Sequence, residues 1–333
     1  MHISNYYRYI LGFGILLVLL VSTPFIAEEP SDVPTAVSTF SIVARDPATG
    51  ELGIAVASRF FAVGSVVPWA RADVGAVATQ AFANTSFGER GLELLARGAT
   101  PEEALTILLR TDADPDRRQV GIVAADGSSI TYTGKGCTPW AGGKQGPNYA
   151  IQGNILTGEE VVENVEKAFL STKGTLAERL YEALVAGDRA GGDSRGKQSA
   201  ALLVVKDRAG YGGFTDRAID IRVDDHPEPF RELGRLLVLA RVNYGWNEAW
   251  TLFTEQKAPE ALPIMERTAK LAPDNGEVLY DLAVIRLAAG KKGEALEALK
   301  EAVRVNPKLR QQAREDSDLE GLRSHPDFES VTK

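Results

Sequence analysis

Two runs, Thr39–Arg45 and Leu52–Ser58, are apolar at nearly every position and are separated by Asp46-Pro47-Ala48-Thr49-Gly50. Proline sets φ and glycine supplies a positive φ, so the five residues read as a turn between paired strands. Strands that do not alternate apolar with polar residues have both faces covered. The chain therefore needs layers on either side of its first hairpin. Gly75–Gln80 reads as another short strand. Gln119–Ala124 and Ser129–Thr133 flank Ala125-Asp126-Gly127-Ser128 as a second hairpin, and Ser199–Val205 and Ala218–Val223 as two further strands.

Helices fall between these strands. Ser86–Arg97 is amphipathic and stops at Gly98. Thr100-Pro101-Glu102-Glu103 opens the next helix with a Thr cap, Pro in the first turn and Glu three residues after the cap. Glu159–Ser171, Thr175–Ala186 and Pro229–Val242 have helical periodicity. Strands come in hairpins, with helices segregated from them. This predicts an α+β fold with antiparallel sheets, not a doubly wound one.

After residue 240 the composition shifts to Ala, Leu, Glu and Lys without strand signals. Leu271-Ala272-Pro273-Asp274 recurs as Val305-Asn306-Pro307-Lys308, and Pro273 and Pro307 stand 34 residues apart. That is the tetratricopeptide period. Leu282, Ala283, Gly290, Ala295, Leu299 and Ala302 occupy positions where such a repeat takes small or apolar residues, and Ala261 fits a weaker preceding copy. A plain helical hairpin packed on the body is the alternative. The expected organisation is a leader (1–27), a linker or propeptide (28–38), a layered domain (39–240) and a helical domain (241–333) that engages a protein partner.

Ile10–Val21, preceded by Arg8, is an apolar run shorter than a comfortable membrane span. It reads as a signal peptide, or as an anchor if uncleaved, which would be the chain's sole membrane contact. The protein is thus expected to be periplasmic or secreted. A net charge of −8 and a pI near 5.2 argue against nucleic acid as a partner. Cys137 is the only cysteine and the histidines are His2, His226 and His325, so no intramolecular disulfide or multi-histidine zinc site can form. No metal or other cofactor is expected, and the chain is expected to be a homo-oligomer.

Several motifs fail on inspection. Gly191-Gly192-Asp193-Ser194-Arg195-Gly196-Lys197-Gln198 nearly spells a phosphate loop, but ends in Gln198 instead of Ser or Thr. It also lies between a helix and a strand, the reverse of the required order. Asp193, Arg195 and Gln198 remain candidates to face a pocket. Asp112-Ala113-Asp114-Pro115-Asp116 has Arg117 where a calcium loop needs Gly. Asn84-Thr85-Ser86 is a formal glycosylation sequon. Asp224-Asp225-His226-Pro227 suits a capped turn better than acid–base chemistry.

Thr39 opens the first strand, Arg59 follows the second, and Arg71 precedes Gly75. These stretches, together with Gly53–Arg59, Val67–Arg71, Gly75–Gln80, Gln152-Gly153-Asn154, Gly192–Ser199 and Asp224–Pro227, resemble a bacterial domain-of-unknown-function family related to N-terminal nucleophile hydrolases. The resemblance spans about residues 39–237. It implies a four-layer αββα sandwich, with Thr39 as nucleophile and its own α-amine as base. It implies an amide or peptide-like small substrate, Arg59 and Arg71 as electrostatic helpers, and Asn154 as an oxyanion donor. Gln80, Asn84, Asp193, Arg195 and Gln198 would line the substrate site. The opening hairpin is more distantly similar to that of proteasome β-subunits. It departs from them at Ala57, where they carry Asp, and at Arg71, where they carry Lys. The alternative is a non-catalytic binding or scaffold protein on the same fold.

The amine is free only if the Ser38–Thr39 bond is cut. Ala27 ends the leader's apolar region, but cleavage there leaves Thr39 eleven residues inside the chain. Ala36-Val37-Ser38 offers a second small-residue match directly before Thr39. Autoproteolysis is the other route.

Overall fold

The structure is a computed structural model that describes residues 39–333. The expected leader and the 28–38 segment lie outside the described residues. Strands β1 (Thr39–Arg45) and β2 (Leu52–Ser58) form the expected hairpin, with Thr39 opposite Ser58 and Arg45 opposite Leu52. In the turn, Asp46 Oδ1 accepts from the Ala48 N–H at 2.8 Å, and Gly50 takes φ +77°.

Next come β3 (Pro68–Arg71), β4 (Gly75–Ala81), α1 (Ser86–Ala96) and α2 (Pro101–Arg110). Then follow β5 (Arg118–Ala124), β6 (Ser129–Thr133), β7 (Gly142–Gly146) and β8 (Tyr149–Asn154). Helices α3 (Glu160–Ser171) and α4 (Leu176–Arg189) lead to β9 (Ser199–Val205) and β10 (Arg217–Val223). One sheet runs β10-β9-β2-β1-β8-β7 and the other β3-β4-β5-β6, and every pairing is antiparallel.

Alternation along β1 explains the layers. Phe40, Ile42 and Ala44 point away from the second sheet into a core with Val161 and Val165 of α3 and Leu180 and Leu184 of α4. Val43 points the other way, into a core between the sheets with Ile54, Val56, Ala76, Ala78 and Val123. On the far side, Val77, Val120 and Ile122 pack against Phe87, Leu92, Leu105 and Leu108 of α1 and α2. The result is the expected αββα sandwich. Each fully buried Ile or Val contributes about 1.5–3 kcal/mol. At the start of α2, Thr100 and Glu103 complete the capping box reciprocally.

Three strands escape a reading by pattern: β3, β7 and β8. Gly142-Gly143-Lys144-Gln145-Gly146-Pro147-Asn148 has a loop composition, yet β7 pairs with β8 across Pro147-Asn148, and β8 is the second neighbour of β1. A second difference lies at residue 240. Helix α5 runs without interruption from Pro229 to Thr254, past the Val242 end and through the 240/241 boundary expected from composition. Its first half, with Phe230, Leu233 and Leu237, belongs to the sandwich core. Its second half, with Val242, Trp246 and Ala249, belongs to a helical core.

That core is completed by α6 (Ala258–Leu271), α7 (Gly276–Ala288), α8 (Lys292–Val305), α9 (Leu309–Glu315) and α10 (Phe328–Thr332). Leu271 and Val305, the residues flagged by the 34-residue spacing, end α6 and α8. No helix among the described residues is long and apolar enough to cross a membrane.

Candidate active site

Thr39 is the first residue of β1 and lies between Ser58 of β2 and Asn154 of β8. All three are buried. The Thr39 hydroxyl donates to Ser58 Oγ at 3.3 Å. The alternation that puts Val43 between the sheets also puts Thr39 and Ser41 there.

At this end the inter-sheet layer is polar. Gln80 Oε1 accepts from Ser41 Oγ at 2.7 Å, and its amide nitrogen reaches the Thr39 carbonyl at 3.2 Å and Gln119 Oε1 at 2.8 Å. Asn154 Nδ2 donates to the same Gln119 Oε1 at 2.9 Å. Gln119 Nε2 donates to the Gly153 carbonyl at 2.7 Å, and Gln152 Nε2 to Ser41 Oγ at 2.6 Å. Gly121 makes room for this: a Cβ there would stand 2.1 Å from Gln152 Oε1. An orphaned buried amide costs about 1–3 kcal/mol, so the network is stable because its members satisfy one another. Hydroxyls and carboxamides supply donors and acceptors near Thr39 but no general base.

The loop between α4 and β9 closes over the same end. Asp193 Oδ2 accepts from the Arg59 N–H at 2.7 Å, and Asp193 Oδ1 from the Arg195 N–H at 2.9 Å. The Arg195 guanidinium returns to the carboxylate, with Nη2 3.1 Å from Oδ2. Leu156, just past β8, forms a bridge with Asp193, and the Gln198 N–H donates to the Ser58 carbonyl at 3.1 Å. Between this loop and α5 lies a cleft of about 250 Å³ bordered by Phe40, Ser58, Asp193, Lys197 and Phe230. Lys197 sits 3.1 Å from Asp188 and 3.6 Å from Glu228. Burial pulls its pKa down, and the two carboxylates more than reverse this, so it stays firmly cationic.

The sequence candidates divide on this geometry. Thr39, Asn154 and Gln80 come together directly. Asp193 and Arg195 pair with each other in the covering loop. Arg59 reaches that loop through its backbone, and its side chain is exposed. Gln198 is anchored beside Ser58, but its side chain turns to Asp225 at 3.1 Å. Arg71 does not join them. It pairs with Gly75, five residues down β4 from Gln80 and so about 17 Å away along the strand. Asn84 is used at the start of α1, accepting from the Ser86 N–H at 3.2 Å and donating to Asp112 at 2.7 Å. His226 closes its own turn, with Nδ1 accepting from the Glu228 N–H at 2.9 Å.

Ser41, Ser58, Gln119 and Gln152 belong to the site and were not among the candidates. Their signal is a polar side chain at alternate positions within otherwise apolar strands. Gln152 carries the further difficulty that its strand, β8, has no apolar pattern to mark it.

A two-sheet αββα sandwich with a hydroxyl residue opening its first strand places the body in the N-terminal nucleophile hydrolase-like class of folds. Within that class, residues 39–233 match the family of unknown function DUF1028, and the chain belongs to this family. Residues 252–314 match the tetratricopeptide repeat, a module that suggests protein–protein interaction. The crystal structure of protein SPO2555 from Silicibacter pomeroyi, itself assigned to DUF1028, is similar with a TM-score of 0.56 and 30% identity. The likeness covers 61% of this chain and 89% of that one. No curated protein matches the chain.

Proposed function

We propose that this protein is a periplasmic or secreted amidohydrolase in which Thr39 becomes the nucleophile once residues 1–38 are removed. The observation that supports this reading is the position of Thr39: a buried hydroxyl at the head of β1, bonded to Ser58 and flanked by the carboxamides of Asn154 and Gln80. Nothing in that amide network takes up a proton at neutral pH. An α-amine at Thr39, with an ordinary pKa of about 7.7–8.0, does.

The amine takes the proton from Oγ1 as the oxygen bonds to the substrate's carbonyl carbon. The amide C–N bond then breaks, and the amine passes its proton to the departing nitrogen. Water adds to the resulting ester, the C–Oγ1 bond breaks, and the freed acid leaves with Thr39 restored. Asn154, paired with Thr39 across β1 and β8, puts its carboxamide beside the place where the oxyanion develops. The Asp193–Arg195 loop walls the cleft in which the substrate's acyl portion sits.

Two measurements test this. N-terminal sequencing of protein exported by a bacterial host is expected to begin at Thr39, and a β-lactone probe to acylate Thr39 but not a Thr39→Ala variant. A mature chain beginning upstream, or no adduct on a chain that begins at Thr39, overturns the proposal.

A second reading, a binding scaffold, draws on one feature of the tail. A groove of about 470 Å³ is lined by Val238, Leu239, Val242, Trp246 and Leu271, with Val238 and Leu239 49% and 55% exposed. Exposed apolar surface of this kind suits a protein partner. A mature chain starting upstream of Thr39 favours it.

A further inference from the structure

The seam between sandwich and helical tail holds a second cleft, far from Thr39 along β2. It measures about 320 Å³ and is walled by the turn that leads into β2 and by β9, β10, α4, α5 and α6. Tyr244 and Glu248 of α5 and Lys206 of the β9–β10 loop also line an adjoining cleft of about 260 Å³. The seam is tight beside the cleft: a Cβ on Gly245 would stand 2.3 Å from Thr268 Oγ1.

Most charges in the wall are spoken for. Arg241 lies 2.7 Å from Glu178, and Lys206 lies 3.7 Å from Glu248. Two are not. Glu51 on β2's approach and Arg267 on α6 form no ion pair among the described residues, and they carry opposite signs. Glu51 is half-buried, and burial pushes its carboxyl above the usual range against the pull of Thr49 and Lys206. The Tyr244 hydroxyl makes no hydrogen bond among the described residues, and burial raises its pKa, with Glu248 and Glu51 adding to the rise. Ile219, Ile264 and Leu271 supply an apolar wall. An apolar cavity with a few convergent polar groups has the composition of a small-molecule site.

We infer that this cleft binds a small zwitterion with an apolar body, of the dipeptide class, its ammonium facing Glu51 and its carboxylate facing Arg267. A ligand with one charge leaves the other wall group unmatched. A ligand with neither gains only the apolar contact. The volume admits two small or medium residues, and the Tyr244 hydroxyl in the same lining is left for the central amide. Because β2 and α6 belong to different cores, the bound zwitterion ties sandwich to tail. The inference does not depend on the role of Thr39.

The test uses the full chain carrying Thr39→Ala, so that hydrolysis cannot consume the probe. L-leucyl-L-alanine is titrated by calorimetry beside its N-acetyl and C-terminal amide derivatives. The free dipeptide is expected to bind, and each capped form to bind more weakly by on the order of tenfold, the loss of one charge-assisted hydrogen bond. Glu51→Gln is expected to weaken the free dipeptide equally while leaving the N-acetyl form unaffected, and Arg267→Ala to do the same toward the amide form. No binding by the free dipeptide at millimolar concentration, or equal binding by all three forms, overturns the inference.

Discussion

Among the described residues, a buried polar cluster at the head of β1 and a half-buried one in the tail differ in kind. At the head of β1 the groups are neutral: Thr39, Ser41, Ser58, Gln80, Gln119, Gln152 and Asn154. In the tail they ionise. The Trp246 indole N–H donates to Asp281 at 2.6 Å, and the Tyr280 hydroxyl donates to Asp316 at 2.7 Å. Burial, only partly offset by the Trp246 bond, pushes Asp281 up to about 6, with Asp316, Asp318 and Glu277 adding to the rise. Amides satisfied by amides hold strand register at any pH. A half-buried carboxylate crowded by others makes a helix junction sensitive to pH.

The largest break in this contrast is Gln119→Leu. It removes the bonds that Gln119 makes to Asn154 Nδ2, the Gly153 carbonyl and Gln80, and is expected to cost about 3 kcal/mol in urea unfolding, equally at pH 5 and pH 7. A pH-dependent loss would show that the sandwich cluster is not neutral. Gly121→Ala drives a methyl into Gln152 and is expected to cost about 2–3 kcal/mol, recovered in part by pairing it with Gln152→Ala.

Asp281→Asn probes the other side. The folded pKa of about 6 lies above the reference 3.8, so the folded state favours the neutral acid. Well below pH 3.8 both states are protonated and there is no penalty. The penalty grows as pH rises from about 4 to 6 and then stays. The Asn variant is therefore expected to match the parent well below pH 3.8 and to exceed it by about 2 kcal/mol at pH 7, a figure reduced for partial solvent screening. Equal stability at both pH values refutes the assignment. Thr100→Ala lies outside both clusters and is expected to cost about 1 kcal/mol at every pH, the loss of a helix cap. It calibrates the other three by circular dichroism.

How much was legible follows from where the information sits. The bounds of β1, β2, β6 and β9 coincide with those read from apolar runs, and the α2 capping box was visible as Thr100 and Glu103. Local chemistry decides such features. The 34-residue spacing marked the ends of α6 and α8, because a repeat leaves a periodic trace. The position of Thr39 was legible too, as the first residue of a strand covered on both faces.

The companions of Thr39 were not. Ser58, Gln119 and Gln152 are ordinary polar residues until pairing sets β8 beside β1 and packing sets β4 and β5 across from it. Arg71 looked suitable by its distance in sequence, yet antiparallel pairing carries it to the other end of β4. At the 240/241 boundary the composition changes while the α5 backbone runs on. One face of α5 seals the sandwich and its continuation nucleates the tail.

By itself the sequence determined the layers, the helical tail and the residue at the head of the first strand, since periodicity, caps and turns are local and additive. The tertiary structure alone decided which side chains meet Thr39 and which charges face the seam. Those meetings depend on sheet order and register, where a shift of a single residue sends every side chain to the opposite face.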